Sequence, residues 1–351
     1  MEFEISNTFT NMKISWSPYT LQFRHPFTVA TFSRTTTPIV IVKIEHLGQI
    51  GYGEASMPPY LGESQESVIN FLSKIDLSKF ESPFNTEEIL RHIDQLENGN
   101  NAAKASIDIA LHDLQGKLLN RRTIDILNIK EKPALSSFTI GIDTIEKMLE
   151  KVDEAEKYGF KILKIKAGTP NDRAMISAIV KKSCKAFSID VNQGWIGKEK
   201  ALDMAYEFKE MGCLFIEQPF TKENMRDSAW LTERSPIPII ADESVKRLCD
   251  LKAAKDIFHG INVKLMKSTG IQEALKMIET ARSFKMNVVL GCMSESSCAI
   301  SAAAILSSLA DWIDLDGPYL ITNDLFSGME IKEGKVSLQN KYGIGIENLT
   351  I

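Results

Sequence analysis

The residues that could do chemistry form a regular pattern in the second half of the chain. Charged side chains follow a series of short apolar runs, each rich in β-branched residues. Such runs are typical of buried strands in a parallel sheet, and the carboxyl ends of parallel strands meet on one side of the sheet. We therefore expect a single site to collect Lys164, Lys166, Asp190, Glu217, Asp242, Lys264, Asp314 and Asp316.

Three acids on consecutive runs predict a metal site. Asp190, Glu217 and Asp242 supply only oxygen ligands, without histidine or cysteine. Hard oxygen ligands suit Mg²⁺, with Mn²⁺ as the alternative. A single acid of this kind is more often a helix cap or a turn former, but capping does not explain three on successive strands. A metal held here could bind a substrate carboxylate and stabilise the charge that forms when the adjacent α-proton leaves.

The lysines on either side of these acids predict proton transfer. Lys164, Lys166 and Lys264 lie among apolar residues inside strands, where an unpaired ammonium group is costly. A lysine that acts as a base must be neutral, so its pKa has to fall from about 10.4 to about 7–8. The neighbouring ammonium of Lys164 and a nearby Mg²⁺ would both lower the pKa of Lys166.

The elements that carry these residues indicate an α/β fold. Apolar strand-like runs alternate with amphipathic helical stretches from about Ser136 onwards, which predicts a closed (β/α)7β barrel of the TIM type. A doubly wound sheet is disfavoured because no Gly-x-Gly-x-x-Gly motif opens a helix. The predicted strands are Phe138 to Ile142, Ile162 to Lys166, Phe187 to Val191, Leu214 to Glu217, Ile237 to Ala241, Ile261 to Leu265, Val288 to Leu290 and Trp312 to Leu315.

The first third of the chain has a different pattern and predicts a second domain. We expect an α+β capping domain over residues 1–130, completed by about 324–351, and the barrel over residues 131–323. The capping domain should contain a hairpin and two helices, at Ile39 to Ile44 with Ile50 to Glu54, at Ser64 to Leu72 and at Asn101 to Leu119.

The composition excludes several classes of partner. The 351 residues carry a net charge of −5 without a basic block, which disfavours nucleic acid and anionic membrane surfaces. No apolar run approaches the ~20 residues of a membrane helix. The five cysteines lack a Cys-x-x-Cys motif, which disfavours disulfides and zinc and favours a reducing cytoplasm. Cys292 could be a nucleophile, but no histidine follows it, so a buried thiol is the preferred interpretation.

These motifs together resemble the enolase superfamily, in its muconate-lactonizing-enzyme subgroup. The resemblance rests on Lys164-Ile-Lys166, Asp190-Val-Asn192, Glu217-Gln-Pro219, Ala241-Asp-Glu-Ser244 and Asn262-Val-Lys264, and it covers nearly the whole chain. It implies that Lys166 and Lys264 stand on opposite faces of the substrate carbon and that Lys164 contacts the substrate carboxylate. It also implies that Asp190, Glu217 and Asp242 are the ligands of Mg²⁺.

The eighth strand narrows the resemblance to the dipeptide epimerases. Asp314-Leu-Asp316 resembles the pair of acids that holds the free α-ammonium of a dipeptide in that group. The resemblance also implies that Thr139 and the loop of Met293 and Ser294 touch the substrate carboxylate or peptide. The expected reaction is inversion of the α-carbon of the C-terminal residue. Dimers and octamers both occur in such barrels, so the resemblance also allows a homo-oligomer.

One departure from the family pattern concerns substrate choice. In Ala-Glu epimerases an arginine that follows a Pro-Phe pair binds the glutamate side chain. After Pro26-Phe27 this chain has Thr31 and Phe32 at the matching places, and Arg34, which comes later, could also reach into the site. Phe32, with Met57 and Tyr60, predicts an apolar lid and a small or hydrophobic C-terminal residue, as in Ala-Ala or Ala-Val. The alternative is that Phe32 only packs within the capping domain.

Other activities remain alternatives on the same residues. An Ala-Glu epimerase, an o-succinylbenzoate synthase, a cycloisomerase and an N-acyl amino acid racemase share the enolate chemistry. The last three have no free ammonium to bind, so Asp314 and Asp316 separate them from a dipeptide epimerase. A Schiff-base aldolase would use a lysine without needing the three acids, and a non-enzymatic binding protein would bind ligand without proton exchange.

Overall fold

An antiparallel sheet of three strands opens the chain. A computed structural model describes residues 11–57 and 61–349. Its first strands are β1 (Lys13–Val29), β2 (Phe32–His46) and β3 (Gln49–Ser56). The central β2 pairs with both neighbours, and the β1–β2 register shifts between Gln22 and Phe27. The predicted hairpin is therefore confirmed as β2 and β3, whereas β1 was not predicted.

One long helix joins this sheet to the barrel. The helices of the first domain are α1 (Gln65–Leu72), α2 (Thr86–Leu96), α3 (Asn101–Leu118) and α4 (Thr123–Ile126). Nearly every residue of α3 is buried, because β3 covers one side of it and the barrel helices cover the other. Gly51 and Gly53 allow this close approach, since a Cβ at either position would overlap the main chain of α3.

Eight parallel strands form the barrel. They lie side by side in chain order, and the ring closes where Ser136 bridges Ile313. This arrangement confirms the predicted α/β fold, a (β/α)7β barrel with a separate N-terminal sheet domain. The strands are β4 (Ser137–Ile140), β5 (Ile162–Lys166), β6 (Ala186–Asp190), β7 (Cys213–Glu217), β8 (Ile239–Ala241), β9 (Gly260–Val263), β10 (Asn287–Leu290) and β11 (Trp312–Ile313).

Helices cover the outside of the barrel between successive strands. Each longer helix turns an apolar stripe inward, as α5 does with Met148, Val152 and Ala155. The sequence did not single out α8, α9 and α11, since α9 has a single turn and α11 is apolar on every side. The helices are α5 (Ile145–Lys157), α6 (Asp172–Ser183), α7 (Lys198–Glu210), α8 (Met225–Arg234), α9 (Leu251–Ala254), α10 (Ile271–Ser283), α11 (Ser297–Ala304) and, after β11, α12 (Gly317–Leu320).

The last part of the chain returns to the first domain. Asn348 Nδ2 donates to the Tyr52 hydroxyl at 3.3 Å, and the Ile344 amide donates to Asp113 Oδ1 at 3.0 Å. These contacts support the proposal that residues from about 324 onwards complete the capping domain, whose boundary we place at 130. The short strands here are β12 (Phe326–Ser327), β13 (Glu330–Lys332), β14 (Lys335–Ser337) and β15 (Glu347–Asn348).

Within residues 11–57 and 61–349, no helix is both long enough and apolar enough to cross a membrane.

Replacing Gly53 with alanine should destabilise the junction between β3 and α3. The new methyl group would overlap the Ser106 carbonyl, and overpacking of this kind costs about 1–3 kcal/mol. We expect a lower urea midpoint, measured by far-UV circular dichroism. Gly48→Asn is the control, because Gly48 has a φ of 75° with no atom near its Cβ position, and asparagine tolerates that conformation. Equal midpoints for Gly53→Ala and the wild type would contradict this account of the packing.

Candidate active site

The strand register brings the charged residues into one layer at the carboxyl ends of the strands. Thr139 of β4 pairs with Lys164 of β5, Lys166 pairs with Asp190 of β6, and Asp190 pairs with Glu217 of β7. Side chains alternate along a strand, so Lys164 and Lys166 share one side of β5. Their salt bridges to acids of other strands place that side inside the barrel.

The three predicted metal ligands lie together. Asp190, Glu217 and Asp242 are fully buried on adjacent strands, and each offers an oxygen within 4.8 Å of those of the other two. Glu217 Oε1 accepts from Asn262 Nδ2 at 2.7 Å, whereas Oε2 has no hydrogen bond and pairs with the Lys164 ammonium at 2.9 Å. A cluster of three carboxyl groups, with only oxygen donors, fits Mg²⁺ or Mn²⁺.

Lysine ammonium groups determine the charge state of these acids. Burial alone would raise the pKa of Asp190, but Lys164 and Lys166 outweigh it and lower that pKa to about 2. Burial likewise opposes the effect of Lys264 and Lys267 on Asp242, whose pKa is lowered. Burial and the charge of Asp190 raise the pKa of Glu217. Two of the three predicted metal ligands, Asp190 and Asp242, are therefore held as carboxylates.

Two lysines approach the acid cluster from opposite walls of the barrel. Lys166 Nζ donates to Asp190 Oδ2 at 2.6 Å, and Lys264 Nζ donates to Asp242 Oδ2 at 2.7 Å. Lys166 belongs to β5 and Lys264 to β9, which lie four strands apart in a ring of eight. The two amines therefore face each other across the open end of the barrel, as the resemblance implies.

Lys164 occupies the centre of the cluster. Its Nζ lies 2.8 Å from Asp314 Oδ2, 2.9 Å from Glu217 Oε2 and 3.1 Å from Asp190 Oδ2. Burial would lower the pKa of Lys164, but these acids outweigh it and raise that pKa well above its usual value. Lys164 therefore stays an ammonium group, which suits it to bind an anion and not to act as a base.

Asp314 and Asp316 form a second acidic site, next to Thr139. The Thr139 amide donates to Asp316 Oδ2 at 2.6 Å, and Ser137 Oγ donates to Asp314 Oδ1 at 2.8 Å. Burial, with the charge of Asp314, raises the pKa of Asp316 to about 7. This pair could accept a cationic group near neutral pH.

A cavity that opens to solvent is lined by the charged side chains of Lys164, Lys166, Lys264, Asp314 and Asp316. The predicted residues Thr139, Met293 and Ser294 line it, and Phe32 covers it from the first domain. Arg34 lines the same cavity, where Arg34 Nη2 donates to Ser294 Oγ at 3.2 Å.

The predicted apolar lid of Phe32, Met57 and Tyr60 differs from the residues that surround Phe32 in the structure. The Arg34 guanidinium lies 5.3 Å from the centre of the Phe32 ring and 5.5 Å from that of Phe23. Met57 is buried in the hydrophobic core, and Tyr60 falls outside the described residues. Phe32 therefore borders a cationic group.

Three further residues shape the site without having been predicted. The buried Lys267 donates to Asp242 Oδ1 at 2.6 Å and to three main-chain carbonyls. Gln218 Oε1 accepts from the amides of Asp242 and Ser244 and fixes the turn that carries Asp242, the third predicted metal ligand. Glu243 lines the cavity, and burial next to Asp242 raises its pKa to about 8. Spacing does not reveal these roles, because they depend on turns that follow the strands.

Comparison with known proteins agrees with this geometry. Residues 15–127 match the "Mandelate racemase / muconate lactonizing enzyme, N-terminal domain", and residues 147–349 match the "Enolase C-terminal domain-like" family. The L-Ala-D/L-Glu epimerase of Bacteroides thetaiotaomicron is 51% identical over 336 residues, covering 95% of this chain and 88% of that protein.

Solved structures show the same relationship. A substrate complex of the L-Ala-D/L-Glu epimerase from Bacillus subtilis matches with a TM-score of 0.91 and 28% identity, covering 97% of this chain and 99% of the other. The dipeptide epimerase from Cytophaga hutchinsonii, complexed with Mg and D-Ala-L-Val, matches with a TM-score of 0.90 and 26% identity, covering 97% and 96%. These relatives are isomerases, as is this chain, which belongs to the mandelate racemase and muconate lactonizing enzyme family of the enolase superfamily.

Proposed function

We propose that the protein is a magnesium-dependent dipeptide epimerase that inverts the α-carbon of the C-terminal residue. The observation that carries this proposal is the opposition of Lys166 and Lys264 across the acid cluster, with Asp314 and Asp316 further along the cavity. The names of the similar epimerases support it.

Two opposed bases account for inversion. Lys166 removes the α-proton from one stereoisomer, and the ammonium group of Lys264 returns a proton to the opposite face. For the other stereoisomer the two lysines exchange roles. One turnover leaves Lys166 as an ammonium group and Lys264 as a neutral amine. This is the state that accepts the other stereoisomer, so both stereoisomers serve as substrate.

The ends of the substrate bind charges of opposite sign. Lys164 and the loop of Met293 and Ser294 would bind the carboxylate, and Asp314 and Asp316 would bind the free ammonium. Asp190, Glu217 and Asp242 would hold Mg²⁺, with Mn²⁺ as the alternative, and the bound ion would supply positive charge beside the carboxylate as the α-proton leaves. The site fits a divalent cation because Asp190 and Asp242, whose pKa values are lowered, are buried carboxylates next to each other.

Arg34 favours an acidic C-terminal residue. Its guanidinium lines the substrate cavity between aromatic rings, where it could pair with a side-chain carboxylate. We therefore propose an Ala-Glu type substrate in place of the Ala-Ala or Ala-Val type that Phe32 suggested. The apolar lining by Phe27, Phe32 and Leu320 favours the second candidate, a hydrophobic dipeptide.

The cysteines support a cytoplasmic location for this enzyme. Within the described ranges, Cys184, Cys213, Cys249, Cys292 and Cys298 are all free thiols. A chain that retains thiols without forming disulfides suits a reducing compartment.

A dipeptide screen with Mg²⁺ tests the proposed function and the role of Arg34. We expect polarimetry to detect epimerisation of L-Ala-L-Glu, which EDTA abolishes. Arg34→Met should lower kcat/KM for this substrate at least about 30-fold, since losing one partner of a buried charge pair costs about 2 kcal/mol or more. With L-Ala-L-Val as the matched control, the change should stay within about threefold. An equal loss for both dipeptides would contradict the Arg34 assignment, and no epimerisation of any dipeptide would overturn the proposed function.

The raised pKa of Asp316 predicts a pH dependence of substrate binding. Burial raises this pKa to about 7, so Asp316 is neutral below that pH and ionised above it. An ionised Asp316 attracts the substrate ammonium, so KM should rise as the pH falls from 8 to about 6. Asp316→Asn should have a higher KM that changes little over this range. A wild-type KM that does not vary with pH would contradict this role.

A further inference from the structure

The loop of Met293 and Ser294 is held from outside the barrel. Ser56 Oγ of β3 donates to the Ser294 carbonyl at 2.9 Å, and Arg34 Nη2 of β2 donates to the Ser294 hydroxyl at 3.2 Å. Both contacts cross from the first domain to the segment between β10 and α11. The first domain therefore determines where this part of the cavity wall lies.

Glu54 makes the most deeply buried of these contacts. It is fully buried on β3, and the Ser296 amide donates to its Oε1 at 3.0 Å. Its Oε2 forms a second hydrogen bond with the Ser296 hydroxyl. Ser296 is also the N-cap of α11, where its Oγ accepts from the Cys298 amide at 3.2 Å. Glu54 thus contacts the residue at which the cavity wall becomes helix.

The segment between Ser296 and the cavity is short and internally tied. The Met293 amide donates to Glu295 Oε1 at 2.8 Å, so residues 293–295 form a compact turn. Met293, Ser294 and Glu295 are all buried. Since the turn spans only three residues, displacement of Ser296 must move Ser294 and Met293 as well.

We propose that Glu54 is a positioning residue that acts through Ser296 to hold Met293 and Ser294 against the carboxylate end of the substrate. The proposal rests on the proposed function, because that function places the substrate carboxylate at these residues. Glu54 itself does not line the cavity. Its effect on the reaction is therefore indirect and should appear in substrate binding more than in the chemical step.

The protonation state of Glu54 identifies the variant that should preserve its role. Burial, with the nearby charge of Glu295, raises the pKa of Glu54 to about 8, so the neutral carboxyl predominates near pH 7. A glutamine offers the same pattern, since its oxygen can accept from the Ser296 amide and its NH₂ can donate to the Ser296 hydroxyl. Glu54→Gln should therefore retain both hydrogen bonds, whereas Glu54→Ala loses both.

Asp108 supplies a matched control from the same domain. It is a fully buried carboxyl group on α3 that accepts from the Ile271 amide, at the start of the barrel helix α10. Like Glu54, it joins the first domain to the N-terminus of a barrel helix. Unlike Glu54, its described hydrogen bonds and ion pairs are to Ile271 and His112 and not to residues 293–296. Asp108→Ala should therefore destabilise the domain junction without moving the Met293–Ser294 loop.

The test compares Glu54→Ala, Glu54→Gln and Asp108→Ala in the full-length protein. Glu54→Ala should raise KM for the dipeptide about tenfold with kcat changed less than about threefold, because a lost binding interaction of about 1.4 kcal/mol is tenfold in affinity. Glu54→Gln should restore KM to within about threefold of the wild type. Asp108→Ala should lower the melting temperature with KM unchanged.

Hydrogen–deuterium exchange gives a second readout that needs no substrate. Peptides covering residues 291–298 should exchange faster in Glu54→Ala than in the wild type, Glu54→Gln or Asp108→Ala. Unchanged exchange in Glu54→Ala would show that Glu54 does not hold this loop. An unchanged KM in Glu54→Ala would show that the contact is purely structural. Either result would overturn the proposal. An equal rise in KM for Asp108→Ala would also overturn it. Failure of the proposed function is distinguishable, since the wild type would then epimerise no dipeptide.

Discussion

The site depends on a buried ion cluster whose centre is the Lys164 ammonium, shared among Asp190, Glu217 and Asp314. Burying such charges is favourable only when each is paired, and removing one partner of a buried pair costs about 3–5 kcal/mol. Strand register supplies the pairing, because Lys166, Asp190 and Glu217 are direct neighbours across β5, β6 and β7. The rigid barrel thus keeps like charges close together and holds two amines apart.

The first domain contributes what the barrel lacks. The barrel strands carry the lysines and the acids, whereas Phe32 and Arg34 come from β2 and close the cavity on its outer side. The packing of β3 on α3 through Gly51 and Gly53 sets the position of that sheet. Glu54 and Ser56, from the same strand, reach the loop that follows β10. The proposed function therefore assigns chemistry to the barrel and substrate selection to the first domain, and β3 connects the two.

Much of the barrel could be predicted, because charged residues that end apolar runs leave a clear pattern. That pattern predicted that Asp190, Glu217 and Asp242 meet at one end of the barrel, where the structure has them, and their role as metal ligands stays a prediction. The sequence left open whether Arg34 reaches the cavity, because its position depends on pairing with β1, an unpredicted strand that is largely exposed and has an irregular register between Gln22 and Phe27. Lys267 was missed for a related reason: its four acceptors come together only once the turns after β8 and β9 have formed. Sequence periodicity reports on strands and helices but not on contacts made by the turns between them.

The central claim is that two opposed lysines each serve one face of the substrate α-carbon. Exchange of the α-hydrogen in D₂O, followed by mass spectrometry for each stereoisomer separately, tests it most directly. In Lys264→Ala, the stereoisomer whose α-hydrogen faces Lys166 should still exchange without inversion, and the other should not. Lys166→Ala should show the reverse preference. The two-base arrangement would be contradicted if either variant exchanged the α-hydrogen of both stereoisomers. It would also be contradicted if the wild type exchanged neither.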